Sequence, residues 1–261
     1  VYTAADRGFQ RFYKAVEPVG DVKTDWQIIS LMSTAMGYPM HYNNTQEIWD
    51  ELRELCPIYY GATYEKMADL AYIQWPCPTL DHPGTPYLYE GGEFSRPGGK
   101  AEFFTCEWAP PIDQLSDEFP FVLSTVREVG HYSCRSMTGN CKALVALADE
   151  PGYVQVNSED AARLGIEDQA LVWVRSRQGK VITRANVSER PNRGAIYMTY
   201  QWWIGACNEL VAENLSPITK TPEYKYCAVQ IEPIKDQGQA EHYVQQEYSK
   251  IKQRLREAAA G

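Results

Sequence analysis

Between residues 118 and 235 the chain breaks into short runs dense in β-branched and aromatic residues: FPFVLST, QALVWVRS, KVITRANVS, AIYMT and YCAVQIE. Each has the length of a strand, and such side chains suit a pleated, half-buried surface. Arg177–Gly179 makes a hairpin turn between the second and third runs. A single short helix, NSEDAARLG, interrupts them, capped by Asn157 or Ser158 and ended by Gly165. One small helix among several strands, followed by a tight hairpin, does not make the strand–helix alternation of a doubly wound sheet. It predicts a small closed barrel.

The flanks differ in character. Residues 1–117 read as a mixed, largely helical segment. DVKTDWQIISLMSTAMGYP carries apolar positions at helical spacing, with Thr24 or Asp25 as cap and Gly37 as stop. NNTQEIWDELRELCP repeats the logic: Asn44 stands three residues before Glu47, and Pro57 closes the segment. A third short helix is expected over Tyr64–Leu70. Residues 75–100, WPCPTLDHPGTPYLYEGGEFSRPGGK, are dense in Pro and Gly and predict a long ordered surface loop. The tail, residues 236–261, holds one amphipathic helix with Val244, Tyr248, Ile251 and Leu255 along one stripe. It is expected to pack on the barrel, with a partner-binding face as the alternative. The fold class is α+β.

Composition excludes several functions. A net charge of −9 gives no basic face for nucleic acid, although local Arg and Lys clusters still suit an anionic ligand. No apolar run approaches the ~18–20 residues of a membrane span, and no signal peptide opens the chain. The opening VYTAADRGFQRF has no initiator Met and enters in mid-pattern, which reads as the continuation of a longer polypeptide. The 7 cysteines form no CxxC pair and the 4 histidines are dispersed. That fits reduced cytosolic thiols, and neither a protein metal site nor an iron–sulfur cluster site is expected.

The run LSTVREVGHYSCRSMTGNC, residues 123–141, leaves a strand and becomes a loop loaded with hydrogen-bonding groups. Two guanidiniums beside small hydroxyls suit a phosphate, while a structural Arg–Glu pair is the plainer account. Further polar loops lie at strand ends over 199–208 and 220–226. Loops at one end of a rigid barrel are where ligand groups usually sit. No Ser-His-Asp order, P-loop, GxGxxG or HExxH is present. Glu159 and Asp160 open a helix, where the dipole accounts for them.

The 123–141 run resembles the cofactor loop in the C-terminal domain of molybdopterin-dependent oxidoreductases. YMTYQWWIGACNEL (197–210) and SPITKTPEYKYC (216–227) resemble the formate dehydrogenases of that family, most closely the selenocysteine type of formate hydrogenlyase systems. The resemblance runs along essentially the whole chain. It implies a six-stranded double-psi β-barrel over 118–235, preceded over 1–117 by part of a mixed α/β cofactor-binding domain. It also implies molybdenum or tungsten on two molybdopterin guanine dinucleotides shared with upstream sequence, and a 4Fe–4S cluster bound upstream. The implied partners are the rest of the catalytic subunit, an iron–sulfur electron-transfer subunit and formate, in the cytoplasm.

The resemblance also assigns residues. Arg127 would hold a pterin or pyrophosphate oxygen, where otherwise it would pair with Glu128. Glu128 would orient a guanidinium or a ribose hydroxyl. His131 would donate to the cofactor near the metal, although a lone histidine is more often structural. Ser133, otherwise a turn residue, would offer its hydroxyl at the same edge. Tyr200 and Gln201 leave a strand and contact cofactor, while Trp202 and Trp203 pack. Asn208 suits a pterin edge, and Tyr224 and Lys225 complete the set, with Tyr226 and Cys227 as strand and core. Asp25 would recognise guanine, one carboxylate accepting from both N1–H and the exocyclic amine; its other reading is a helix cap.

The family's metal ligand, its neighbouring histidine, the substrate-orienting arginine and the cluster cysteines have no counterpart in the chain. No catalytic residue is therefore expected here. Rival readings are another molybdopterin oxidoreductase of the nitrate reductase type, and a free-standing double-psi barrel used as a binding module.

Overall fold

The computed structural model describes residues 1–69 and 71–260. They form two compact units, Val1–Cys106 and Glu107–Gly261.

In the first unit, strands β1 (Tyr2–Thr3), β2 (Gly8–Gln10) and β3 (Ile73–Gln74) make a small antiparallel sheet. Helices α1 (Asp25–Ala35) and α2 (Thr45–Leu55) follow the capping signals. Thr24, not Asp25, caps α1: its backbone N–H and its hydroxyl both lie 3.0 Å from Gln27 Oε1. Asn44 caps α2, accepting from the backbone N–H groups of Gln46 and Glu47. Phe9 anchors the core, edge-on to Trp49 and Tyr59 at 5.1 and 4.9 Å. A fully buried side chain of this size contributes roughly 1.5–3 kcal/mol.

The helix expected over Tyr64–Leu70 does not form. Residues 64–67 make a single turn, and Leu70 lies outside the described residues. After the Met67 N–H bond to Thr63 the spacing tightens to Ala68 on Glu65, and Asp69 takes a positive φ of 52°. So short a segment does not repay helix nucleation, and Met67 serves the core instead. The Pro/Gly-rich segment is ordered at its start by Arg7, whose guanidinium donates to the carbonyls of Trp75, Thr85 and Pro86. Helix α1 buries only Ser30, and Ile28, Ile29, Leu31 and Met32 remain 44–59% exposed.

The second unit contains the expected six-stranded barrel. Its strands are β4 (Phe121–Val126), β5 (Tyr153–Asn157), β6 (Leu171–Arg175), β7 (Lys180–Ser188), β8 (Ala195–Thr199) and β9 (Cys227–Pro233). They close in the order β4-β8-β5-β7-β6-β9. The β4–β8 and β5–β7 pairs are parallel and the others antiparallel. Strict alternation along β4 sends Phe121, Leu123 and Thr125 inward, where the first two join Val154, Ile196, Met198 and Val229 in one cluster.

Strand β5 and helix α3 (Lys142–Leu147) were among the elements not anticipated. Helix α4 (Ser158–Leu164) is capped by Asn157 and stops at Gly165, whose φ of 67° suits a residue without Cβ. Helix α5 (Gln237–Ala260) packs on the barrel through Ala240, Val244, Tyr248 and Ile251, while Leu255 stays half exposed. Among the described residues no helix is long and apolar enough to cross a membrane.

Two core thiols make the barrel sensitive to alkali. Burial, as the largest cause, pushes Cys207 and Cys227 from 9.0 up to about 12. The unfolded chain therefore releases these protons first as pH rises. Stability is full below the unfolded thiol value and falls as pH rises from 9 towards 12. Denaturant unfolding across that range should show a shallower decline in the Cys207→Ala/Cys227→Ala variant; an unchanged slope would contradict the assignment.

Candidate functional site

Parallel pairing of β4 with β8 sets Val126 opposite Thr199 at the end of the ladder. Arg127 and Tyr200 are the next residues on each strand, so both emerge at the same barrel end. Antiparallel β9 begins at Cys227, opposite Leu123, so the preceding Tyr224 and Lys225 run towards the end of β4. Thr125 ties that crossing together. Its hydroxyl donates to the Tyr224 carbonyl at 3.0 Å, and its own carbonyl accepts from the Lys225 ammonium.

These side chains surround a cavity of about 400 Å³, lined by Thr125, Arg127, Tyr200, Asn208, Tyr224 and Lys225, with Val211 and Pro222 as apolar wall. Asn208 is presented by a short turn of 3-10 helix, Cys207–Leu210, whose Cys207 and Leu210 are buried. Gly205 permits the approach to that turn: its φ is 77°, and a Cβ there would lie 2.6 Å from the Ile182 carbonyl.

The cavity is cationic in an acidic chain. Among the described residues Arg127 is exposed and makes no hydrogen bond or ion pair, so it does not pair with Glu128. The Lys225 charge rests on a neutral carbonyl and 5.1 Å from the Tyr224 ring, with no carboxylate to neutralise it. Two un-neutralised cations, a phenol and an amide around one cavity suit a polar anion.

The remaining expected residues are placed elsewhere. His131 is buried, with Nε2 2.8 Å from the Ala148 carbonyl and Nδ1 3.0 Å from the Thr138 hydroxyl. The Thr138 oxygen also accepts from the Tyr132 N–H, so the hydroxyl hydrogen is free to donate to Nδ1. Both ring nitrogens therefore have protein partners. Ser133 is exposed, with a positive φ of 44°. Gln201 is buried and reaches back towards the Glu128 carbonyl at 3.5 Å. Asp25 is exposed at the start of α1, in the first unit.

The second guanidinium of the loop does not line this cavity. Arg135 is buried and paired with Glu150 and Asp149, which is the plainer Arg–Glu account. Trp202 is buried and donates to the Thr199 hydroxyl at 2.6 Å, whereas Trp203 is 42% exposed beside Tyr248.

Residues 121–228, from the first barrel strand to the start of the last, match the family described as Molydopterin dinucleotide binding domain. The barrel is similar to the molydopterin dinucleotide binding domains. Over 99% of its length the chain is 75% identical to Formate dehydrogenase H of Escherichia coli, and it covers 36% of that protein, a C-terminal portion. It is 33% identical over 82% of its length to the assimilatory nitrate reductase catalytic subunit of Bacillus subtilis, covering 31% of it. Among solved structures, acetylene hydratase from Pelobacter acetylenicus shares the fold, with a TM-score of 0.65 and 16% identity over 87% of this chain and 35% of that one. The chain thus spans about a third of these relatives.

The residues present fit a molybdopterin dinucleotide. Its pyrophosphate is the kind of anion Arg127 and Lys225 can hold, and its pterin edge is rich in N–H donors. Two buried acceptors, Glu128 Oε2 and Gln201 Oε1, have no hydrogen-bond partner among the described residues. Native proteins seldom leave such atoms unpaired, and a donor-edged ligand would pair them. Tyr153 bonds to Glu128, and its phenol is pushed up to about 12, by burial first and by that carboxylate second.

Thr125 and Tyr153 were missed from the sequence. Thr125 reads as one more strand residue, and Tyr153 lies on a strand that was not recognised.

Proposed function

We propose that this chain is the cofactor-clamping portion of a formate dehydrogenase catalytic subunit. The observation that carries the reading is 75% identity along 99% of the chain to a formate dehydrogenase, with the cationic cavity falling within the matched barrel. The complete subunit would work in the cytoplasm, with further sequence supplying the metal ligand, the substrate clamp and a 4Fe–4S cluster, and an iron–sulfur subunit as electron acceptor. Two molybdopterin guanine dinucleotides carrying molybdenum or tungsten would be shared between this chain and that further sequence.

When bound, the metal–pterin group supplies the two-electron acceptor for oxidation of formate to CO2. The chain's own residues bind and orient. Arg127 and Lys225 hold pyrophosphate charge at the barrel mouth, and Lys225 is already aligned by the Thr125 carbonyl. Tyr200 and Asn208 offer a hydroxyl and an amide to the ligand edge, and Glu128 and Gln201 offer their orphaned acceptors. The barrel core beneath, closed by Leu123, Met198 and Leu210, keeps water out from below. Asp25 reads guanine. It carries no capping bond, because Thr24 takes that role, and its carboxylate can accept from both N–H donors of the base.

Three outcomes follow for the complete subunit and the isolated chain. Arg127→Ala should lose dinucleotide, since one charged contact is worth roughly 1.5–3 kcal/mol; unchanged pterin content and turnover would sink the assignment. Asp25→Asn keeps the shape but turns an NH2 towards a donor edge. Dinucleotide retention should fall while the melting temperature holds, and a melting shift with full retention would reduce Asp25 to a helix-dipole residue. The 261-residue chain purified alone should not reduce an artificial dye with formate, even when cofactor is offered. Formate oxidation by the chain alone would overturn the clamp reading.

A further inference from the structure

The parallel ladder between β4 and β8 ends at Val126 and Thr199. Beyond it no sheet bonds fix Arg127 relative to Tyr200, although the cavity needs both. A buried ion pair takes over. Arg135, 5% exposed at its side chain, donates from Nε to the Gln201 carbonyl at 3.2 Å and from a terminal nitrogen to Glu150. Glu150, 0% exposed at its side chain, accepts the backbone N–H groups of Trp203 at 3.0 Å and Ile204 at 2.9 Å. The guanidinium lies 4.5 Å from the Trp202 ring centre.

Three backbone groups following Tyr200 are thus satisfied by Arg135 and Glu150, which belong to the polypeptide that runs on from Arg127. Neither side chain lines the cavity. We propose that Arg135 and Glu150 are positioning residues that fix the Arg127 side of the cofactor cavity against the Tyr200 side. The inference rests on the reading of that cavity as a dinucleotide site.

The attraction between the two charges is not what makes the pair useful. Burial is the largest influence on Glu150 and pushes its carboxyl above the usual range, outweighing the Trp203 and Ile204 N–H groups and Arg135. Replacing a buried pair by apolar residues of similar volume is often neutral or stabilising. What an apolar pair cannot do is accept two N–H groups and donate to a carbonyl. The device extends to α5, because the Tyr248 hydroxyl donates to Asp149, the other carboxylate on Arg135, at 3.0 Å.

The test uses the complete subunit carrying this chain, with retained dinucleotide read from the fluorescence of oxidised pterin after gel filtration, and melting temperature measured in parallel. Arg135→Lys keeps the charge pair but loses the fork that reaches Gln201. Its retention should fall at least fivefold while the protein remains folded. The double variant Arg135→Met/Glu150→Leu should still fold, melting lower because three backbone groups lose their partners, yet retain at least tenfold less dinucleotide when assayed well below its melting temperature. Parent-like retention in either variant overturns the proposal. So does failure of both to fold, since the pair would then act on stability alone. A parent subunit that holds no dinucleotide, or an Arg127→Ala variant that holds it fully, instead counts against the cavity reading itself.

Discussion

The parallel β4–β8 ladder is the constraint on which the second unit depends. Parallel neighbours cannot be joined by a tight turn, so the chain travels through β5, α4, β6 and β7 before β8 returns beside β4. That detour supplies the strands that close the barrel. Because the two strands point the same way, their ends coincide, and the residues that follow each end share one mouth. Antiparallel β9 then brings 224 and 225 across that mouth. The cavity is a consequence of strand direction before it is a consequence of side-chain chemistry.

Charge is distributed with equal economy. The chain carries −9 overall, and many arginines outside the cavity are matched: Arg175 with Glu118 and Glu232, Arg177 with Asp113, Arg184 with Glu241. Such pairs in partly exposed positions add little stability, but they cancel positive charge around the barrel. Arg127 and Lys225 are left without carboxylate partners among the described residues. An anion reaching the barrel mouth therefore meets two uncompensated cations on one cavity.

Much of the barrel was legible because its strands are β-branched runs with turn residues between them. The sequence run YVQVN also alternates, but it merges into the Asn157 cap of α4 and was absorbed into the helix signal. Strands β1–β3 have two or three residues each, too few to show a period. At the site, Arg127, Tyr200, Asn208, Tyr224 and Lys225 meet at one cavity, while His131 and Gln201 are buried and do not line it. Residue chemistry alone does not separate Arg127 from Arg135, and only the family resemblance singled out the first. Both are loop arginines near hydroxyls, and only the fold brings Glu150 onto the second.

The ammonium of Lys225 sits on the Thr125 carbonyl rather than on an acid. A carboxylate in that place would have aligned the side chain equally well but cancelled its charge. A peptide oxygen aligns it while leaving its full unit of charge to act outward. Much of the rotamer freedom that a surface lysine surrenders on meeting a ligand is already gone. Lys225 thus behaves as a pre-aimed charge, so it can help an arriving anion choose its orientation at first encounter, before closer contacts form.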